Sequence, residues 1–234
     1  MDAIVLCGGK GTRLASVITD VPKPLAPIGG RPFLDYLLHY LKNTAVISRI
    51  ILATGYLAPK VEAHYGASFC DLPIVYSVEE EPLGTGGAIF QAMRSFNIEE
   101  PFFILNGDSF VDVDLNKLLE LLNIQQQGMA LTLYDVDDAA RFGTVACDDE
   151  RVTGFFEKTG RMEPGLINAG IYAVHPETFD HWKWTRGFIS LEQTVLPELV
   201  KRGLVSAIKS GTRFIDIGLP ETYASAASFF EVEG

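Results

Sequence analysis

Five charged side chains stand where they could handle phosphates. Lys10 and Arg13 lie inside "CGGKGTRL", directly after the apolar run "AIVL", and Lys23 sits between two prolines in "VPKPL". Asp108 closes "PFFILNGD", and Asp216 lies in "RFIDIG". Glycines that follow a strand leave backbone N–H groups facing outward, a ready cradle for anionic oxygens. Carboxylates at strand ends suit a divalent metal that completes its shell with substrate phosphates. A bare strand-ending Asp is as often a turn or cap residue, so the combination on one rim is what carries weight.

Two familiar phosphate loops do not fit. A P-loop requires Gly-Lys followed by Ser or Thr, whereas Lys10 is followed by Gly11. A dinucleotide fingerprint needs a third glycine where Leu14 stands. Kinase-like ATPases and nicotinamide enzymes are therefore disfavoured.

Composition narrows the class further. A chain of 234 residues, 47% hydrophobic and 21% charged, suits one soluble domain with a substantial core. The formal net charge of −11 argues against nucleic acid as a partner and repels anionic substrates, so each Lys or Arg near the glycines becomes informative. No apolar run is long enough to span a bilayer, and no membrane insertion is expected. Cys7, Cys70 and Cys147 show neither metal nor redox spacing; they read as reduced core thiols of a cytoplasmic protein.

The elements that must position these residues alternate. After the opening strand, "RPFLDYLLHYLKN" carries Phe33, Leu34, Leu37, Leu38 and Leu41 as a helical stripe, with Pro32 at the expected first helical position. "RIILATG", "LPIVYSVE", "EPFFILNGD" and "MALTLYDV" read as strands. "APKVEAHYG", "GTGGAIFQAMRSF" and "DLNKLLELLNIQQQ" read as helices, the last capped by Asp114. This rhythm predicts an α/β fold with a mainly parallel central sheet covered on both faces. From Arg141 the segments shorten, and "FGTVACD", "RVTGFFEK" and "LINAGIYAV" are expected to form a small antiparallel lobe over one side. In such sheets ligands gather at the carboxyl ends of the strands.

Taken in order, "CGGKGTRL", "PKPLAPIGGRPFLDY", "PLGTGGA", "NGDSFVDVD", "FFEK", "NAGIY" and "DIG" resemble the sugar-phosphate nucleotidylyltransferases, or nucleotide-sugar pyrophosphorylases. The likeness runs from Ala3 to about Tyr223. Within that family, "EEEPLGTGGA", "RFGTV", "GLINAGIY" and "RFIDIGLPETY" look most like heptose 1-phosphate guanylyltransferases. The resemblance implies a Rossmann-like three-layer fold with a mixed sheet, formed by one domain over 1–234. Residues 1–136 would serve mainly the nucleotide, and 137–234 mainly the sugar. It implies transfer of a nucleotidyl group from a nucleoside triphosphate, GTP on the subfamily likeness, to a sugar 1-phosphate. Pyrophosphate would be released, with Mg²⁺ as cofactor, and the product would be a donor for surface glycans. Self-association into a homo-oligomer stays open.

Carried over residue by residue, Arg13 and Lys23 would be catalytic. Leu6, Gly8, Gly9, Gly11, Thr12, Glu79 and Gly84 would bind the nucleotide. Gly143, Glu157, Lys158, Asn168 and Arg186 would bind the sugar phosphate, and Asp108 and Asp216 the metal. Lys10 stays open between phosphate and solvent, and Trp182 and Trp184 read as packing. Asp112-Val113-Asp114 mimics a glycosyltransferase metal motif, but that reading leaves "GGKGTR" and "PKP" unexplained. Glu79 corresponds to a base-reading position. A carboxylate matches the N1–H and N2–H₂ donors of guanine; uracil and thymine offer one ring N–H. Adenine would leave the carboxylate unpaired, at roughly 1–3 kcal/mol. A uridylyl-, thymidylyl- or mannose 1-phosphate guanylyltransferase, or a non-catalytic sugar-nucleotide-binding subunit, are the alternatives.

Overall fold

The computed structural model describes residues 1–14, 17–18, 21–125, 128–156, 160, 162–180, 182, 187–210 and 212–231. The chain begins with β1 (Asp2–Leu6), the short hairpin strands β2 (Pro27–Ile28) and β3 (Arg31–Pro32), and helix α1 (Phe33–Asn43). It continues through β4 (Arg49–Thr54), α2 (Ala58–Tyr65), β5 (Ser68–Phe69), β6 (Leu72–Val78) and α3 (Gly84–Phe96). Next come β7 (Phe102–Asn106), β8 (Ser109–Val111), α4 (Leu115–Gln125) and β9 (Met129–Val136). The second half holds β10 (Thr144–Asp148), β11 (Arg151–Phe156), β12 (Gly165–Val174), α5 (Leu196–Lys201), β13 (Val205–Lys209), β14 (Phe214–Asp216) and α6 (Pro220–Glu231).

Ten strands form one sheet in the order β10-β11-β13-β9-β12-β7-β1-β4-β6-β5. Strands β7, β1, β4 and β6 are parallel neighbours. The sequences of β7, β1 and β4 are near-continuous apolar runs because both faces are covered, whereas β6 alternates in burial. Along β1, Ala3 and Val5 enter one core with Ile50, Leu52, Phe103 and Leu105, while Ile4 enters the other with Ile51, Phe102 and Ile104. Helices α1, α2, α4 and α6 close the first core; α3 and α5 close the second. The five apolar positions of the α1 stripe are all fully buried. Pro32 precedes this helix at its N-cap in an extended conformation (ψ 145°), one residue earlier than the sequence suggests.

The α/β class and the mixed sheet stand, with two departures inside them. Segment "LINAGIYAV" does not belong to a lobe. As β12 it wedges into the central sheet, antiparallel to both β7 and β9. The run from Ala169 to Val174 is buried throughout, which only a central strand covered on both faces provides. The antiparallel portion at the sheet's margin is the β10–β11 hairpin, with β10 touching the start of β12. The second departure is β13, a short strand not distinguished in the sequence, which pairs parallel with β9. Among the cysteines Cys7 is buried, Cys147 partly buried and Cys70 exposed, so only one is a core thiol; all three are free.

Candidate active site

Because β12 runs antiparallel to both neighbours, β9 points the same way as β7 and β1. One rim therefore collects the loops after β1, β4, β6, β7 and β9, together with the start of β12. A cleft of about 1020 Å³ opens there. It is lined by Leu6, Gly8, Gly9, Gly11, Thr12 and Arg13, by Lys23, Glu79 and Gly84, and by Asp108, Gly143, Asn168 and Asp216. Every site residue expected from the sequence and described by the structure thus reaches one cavity. Glu157, Lys158 and Arg186 lie outside the described residues, as does Trp184. Trp182 packs on Phe90 and Phe179.

The glycine loop leaves β1 while the sheet still grips it. Cys7 N–H donates to the Ala53 carbonyl (2.7 Å), and the Gly8 carbonyl accepts from Tyr56 N–H (3.3 Å). Among the described residues, none accepts from the N–H groups of residues 8–13. Those donors are available to ligand oxygens, as an anion cradle requires.

Lys23 meets this loop from a rigid base. Pro22 caps the turn Lys23–Leu25, and Pro24 is buried beneath it. Lys23 Nζ donates to Asp108 Oδ2 at 2.6 Å, with the lysine side chain only 13% exposed. Asp108 follows β7, whereas Asp216 ends β14; the β8–β14 ribbon joins them. The Ile217 N–H donates to the Asp108 carbonyl at 3.0 Å, and Asp216 Oδ1 accepts from the Gly218 N–H. Burial, and then the neighbouring Asp108 charge, hold the Asp216 carboxyl above the ordinary carboxylate range, with Lys23 and Arg141 pulling the other way. Two carboxylates that repel each other and already attract one cation form a donor set fit for a hard divalent metal. Among the described residues no three or more His, Cys, Asp or Glu side chains gather into a metal cage. The remaining ligands would then be phosphate oxygens and water.

Glu79 follows β6 and crosses toward the glycine loop. A Cβ on Gly8 would lie 2.7 Å from Glu79 Oε1, so residue 8 must be glycine for this carboxylate to sit where it does. The other oxygen accepts from the Leu83 N–H at 2.9 Å. Burial raises the Glu79 pKa, and the Leu83 bond partly offsets it.

The segment "PLGTGG" does something its sequence does not announce. Gly86 and Gly87 at the start of α3 donate their N–H groups to the Ile189 carbonyl (2.9 and 3.2 Å), and Ile189 N–H donates to the Leu83 carbonyl (2.7 Å). A Cβ on Gly84 would meet the Ile189 oxygen at 2.5 Å, and Gly84 has φ +75°. The glycines are thus a socket for the 187–193 segment. Thr85 Oγ1 locks it, donating to Glu192 (2.7 Å) and accepting from the Leu191 N–H (2.8 Å). Glu192, Thr85 and Ser190 line the cleft, and nothing in their local sequence singles them out.

On the far side, β12 is bulged between Asn168 and Tyr172 around Gly170 (φ +86°). The bulge turns Asn168 so that its Nδ2 donates to the buried Tyr172 hydroxyl (2.6 Å) and its Oδ1 accepts from Gly170 N–H (3.2 Å). Arg141 also lines the cleft and was missed by sequence reasoning, although it opens "RFGTV".

A glycine loop with outward N–H groups, a lysine bonded to Asp108 and the nearby Asp216 carboxylate thus share one cleft at the carboxyl rim. The chain matches the Nucleotidyl transferase family across residues 2–233 and belongs to it. It is 40% identical over 223 residues to the D-glycero-alpha-D-manno-heptose 1-phosphate guanylyltransferase of Campylobacter jejuni, spanning 95% of this chain and 97% of that protein. Identity is also 40% over 226 residues to the protein of that name from Aneurinibacillus thermoaerophilus, covering 97% and 96%. The crystal structure of HddC from Yersinia pseudotuberculosis complexed with GMP-PN is similar over 98% of this chain and 99% of its own, with TM-score 0.82 and 34% identity. Among the described residues no helix is long and apolar enough to cross a membrane.

Proposed function

We propose that this protein transfers a guanylyl group from GTP to D-glycero-α-D-manno-heptose 1-phosphate, forming GDP-heptose and releasing pyrophosphate. The observation that carries the reading is 40% identity, across nearly the whole chain, to two proteins named for that heptose 1-phosphate activity. The Glu79 carboxylate at the rim is the physical complement, since it suits a base with adjacent ring N–H and exocyclic amino donors. We place the reaction in the cytoplasm, where three free thiols persist.

In this reading a phosphate oxygen of the sugar 1-phosphate attacks the α-phosphorus of GTP, and pyrophosphate departs from the opposite side. No covalent enzyme intermediate is needed; alignment and charge neutralisation do the work. The N–H groups of residues 8–12 hold the triphosphate, and Arg13 neutralises the leaving pyrophosphate. Lys23, oriented by its hydrogen bond to Asp108, holds the α-phosphate. Asp108 and Asp216 would hold Mg²⁺, which when bound supplies the positive charge that this acidic chain lacks. Gly143 and Asn168, with Glu157, Lys158 and Arg186, receive the sugar phosphate.

The test is pyrophosphate release from a matrix of four nucleoside triphosphates against heptose, mannose and glucose 1-phosphates. GTP with the manno-configured heptose should give the highest kcat/KM and ATP the lowest, with partial activity on mannose 1-phosphate. A missing hydroxyl partner in a polar pocket costs on the order of 10⁴-fold, whereas an extra carbon costs far less. Preference for UTP or dTTP would refute the guanylyl assignment, and equal rates with glucose 1-phosphate would refute the heptose.

A further inference from the structure

Resting on the reaction proposed above, we infer that Arg141 binds the phosphate of the sugar 1-phosphate and is a substrate-binding residue of this enzyme. Its position follows from the sheet. Arg141 lies on the connection from β9 to β10, immediately before Phe142 and Gly143, and it lines the cleft. Strand β9 stands two places from β7, which leads into Asp108, and three from β1, which leads into the glycine loop. Arg141 shares the cleft with Asp216 and Asn168.

Among the described residues the Arg141 guanidinium makes neither an ion pair nor a hydrogen bond, and its ring neighbour is the adjacent Phe142, 5.0 Å from Cζ to the ring centroid. Asp138, three positions upstream, accepts from the Ala140 N–H at 2.9 Å and, among the described residues, forms no ion pair with Arg141. Phe142 packs edge-on against Phe214 (5.8 Å), which fixes the loop carrying Arg141 beside the strand that ends in Asp216. Its charge acts favourably on the Asp216 carboxylate. A chain of net charge −11 that brings a second anion beside a triphosphate needs a cation on the acceptor's side as well as the donor's. A planar guanidinium fork matches phosphate oxygens in pairs, which an ammonium does not.

Arg141→Gln is compared with the parent in steady-state pyrophosphate release, varying each substrate in turn. KM for the sugar 1-phosphate should rise about 10- to 100-fold, with KM for GTP within a factor of two. Arg141→Lys, which keeps the charge and loses the fork, should fall between them. Free mannose, tested as a competitive inhibitor, should inhibit parent and Arg141→Gln equally, because it lacks the phosphate. An unchanged KM for the sugar 1-phosphate overturns the assignment. So does a rise in KM for GTP, or an equal loss for free mannose, which would mark a loop that merely misfolds. The measurement uses whichever sugar 1-phosphate the parent accepts, so a wrong heptose leaves this inference testable. A parent that turns over none would overturn the proposed function and this inference with it.

Discussion

Lys23 and Asp108 are 85 positions apart in the chain, yet the lysine ammonium donates to the aspartate carboxylate across 2.6 Å in the floor of the cleft. The lysine side chain is 13% exposed and the aspartate 40%. Gly11 leaves room for this approach: a Cβ there would press to 3.2 Å from Lys23 Cβ, at a φ of +58°. The lysine ammonium is thus held by rigid backbone beside a carboxylate that we propose as a metal ligand.

Replacing Lys23 with Ala should lower kcat by about 10²–10³, because a preorganised charged donor at a reacting phosphate is worth a few kcal/mol. Circular dichroism and Tm should show an intact fold. Near-normal turnover in a folded variant would remove Lys23 from the mechanism.

Asp108→Asn and Asp216→Asn each exchange an anionic oxygen donor for a neutral amide. After chelation and readdition, both variants should require more Mg²⁺ for half-maximal rate than the parent. A variant that titrates Mg²⁺ like the parent would leave that aspartate with only a turn-forming role.

Glu79 sets a pH dependence. Burial raises its pKa, so the proton is lost at higher pH than from an exposed glutamate. Only the ionised form offers two acceptor oxygens to guanine, so kcat/KM for GTP should fall toward acid with a limb lying above the ordinary carboxylate range. Glu79→Gln should abolish that limb and weaken GTP more than UTP. The folded state disfavours the ionised carboxyl at all pH above the raised value, and that cost disappears as pH drops below the unfolded value. The glutamine variant should therefore keep its Tm at neutral pH. A pH profile identical to the parent's would count against Glu79 as the base reader.

The glycine socket is tested by Gly84→Ala. Its φ of +75° and the Ile189 oxygen 2.5 Å from a new Cβ leave no relaxed position for a methyl group. Destabilisation of about 1 kcal/mol or more is expected from the backbone alone, seen as a lower Tm. Thr85→Val, which removes the lock on Glu192 without that strain, should affect activity more than Tm. Parent-like stability in Gly84→Ala would show that the 187–193 segment is not seated there.

What the sequence determined by itself was everything that depends on neighbours along the chain. Runs such as "RIILAT" and "FFILN" declare strands covered on both faces, the α1 stripe declares its buried side, and Asp114 declares a cap, its carboxylate accepting the Asn116 N–H at 2.9 Å. The glycine loop, Lys23 and the strand-ending aspartates were legible for the same reason: residue type and local spacing carry their chemistry. The tertiary structure decided what depends on which surfaces meet. Only the sheet order inserts β12 between β7 and β9, and only the β8–β14 ribbon brings Asp216 beside Asp108. The glycines of "GTGG" read as the opening of a helix, with Gly84 at the nucleotide, but the packed chain also uses them to admit Ile189. Arg141 looked like one arginine among many until folding left it in the cleft beside Asp216. Periodicity reports how a segment meets water and core, whereas partners separated by tens of residues are chosen by the free energy of the whole packed sheet.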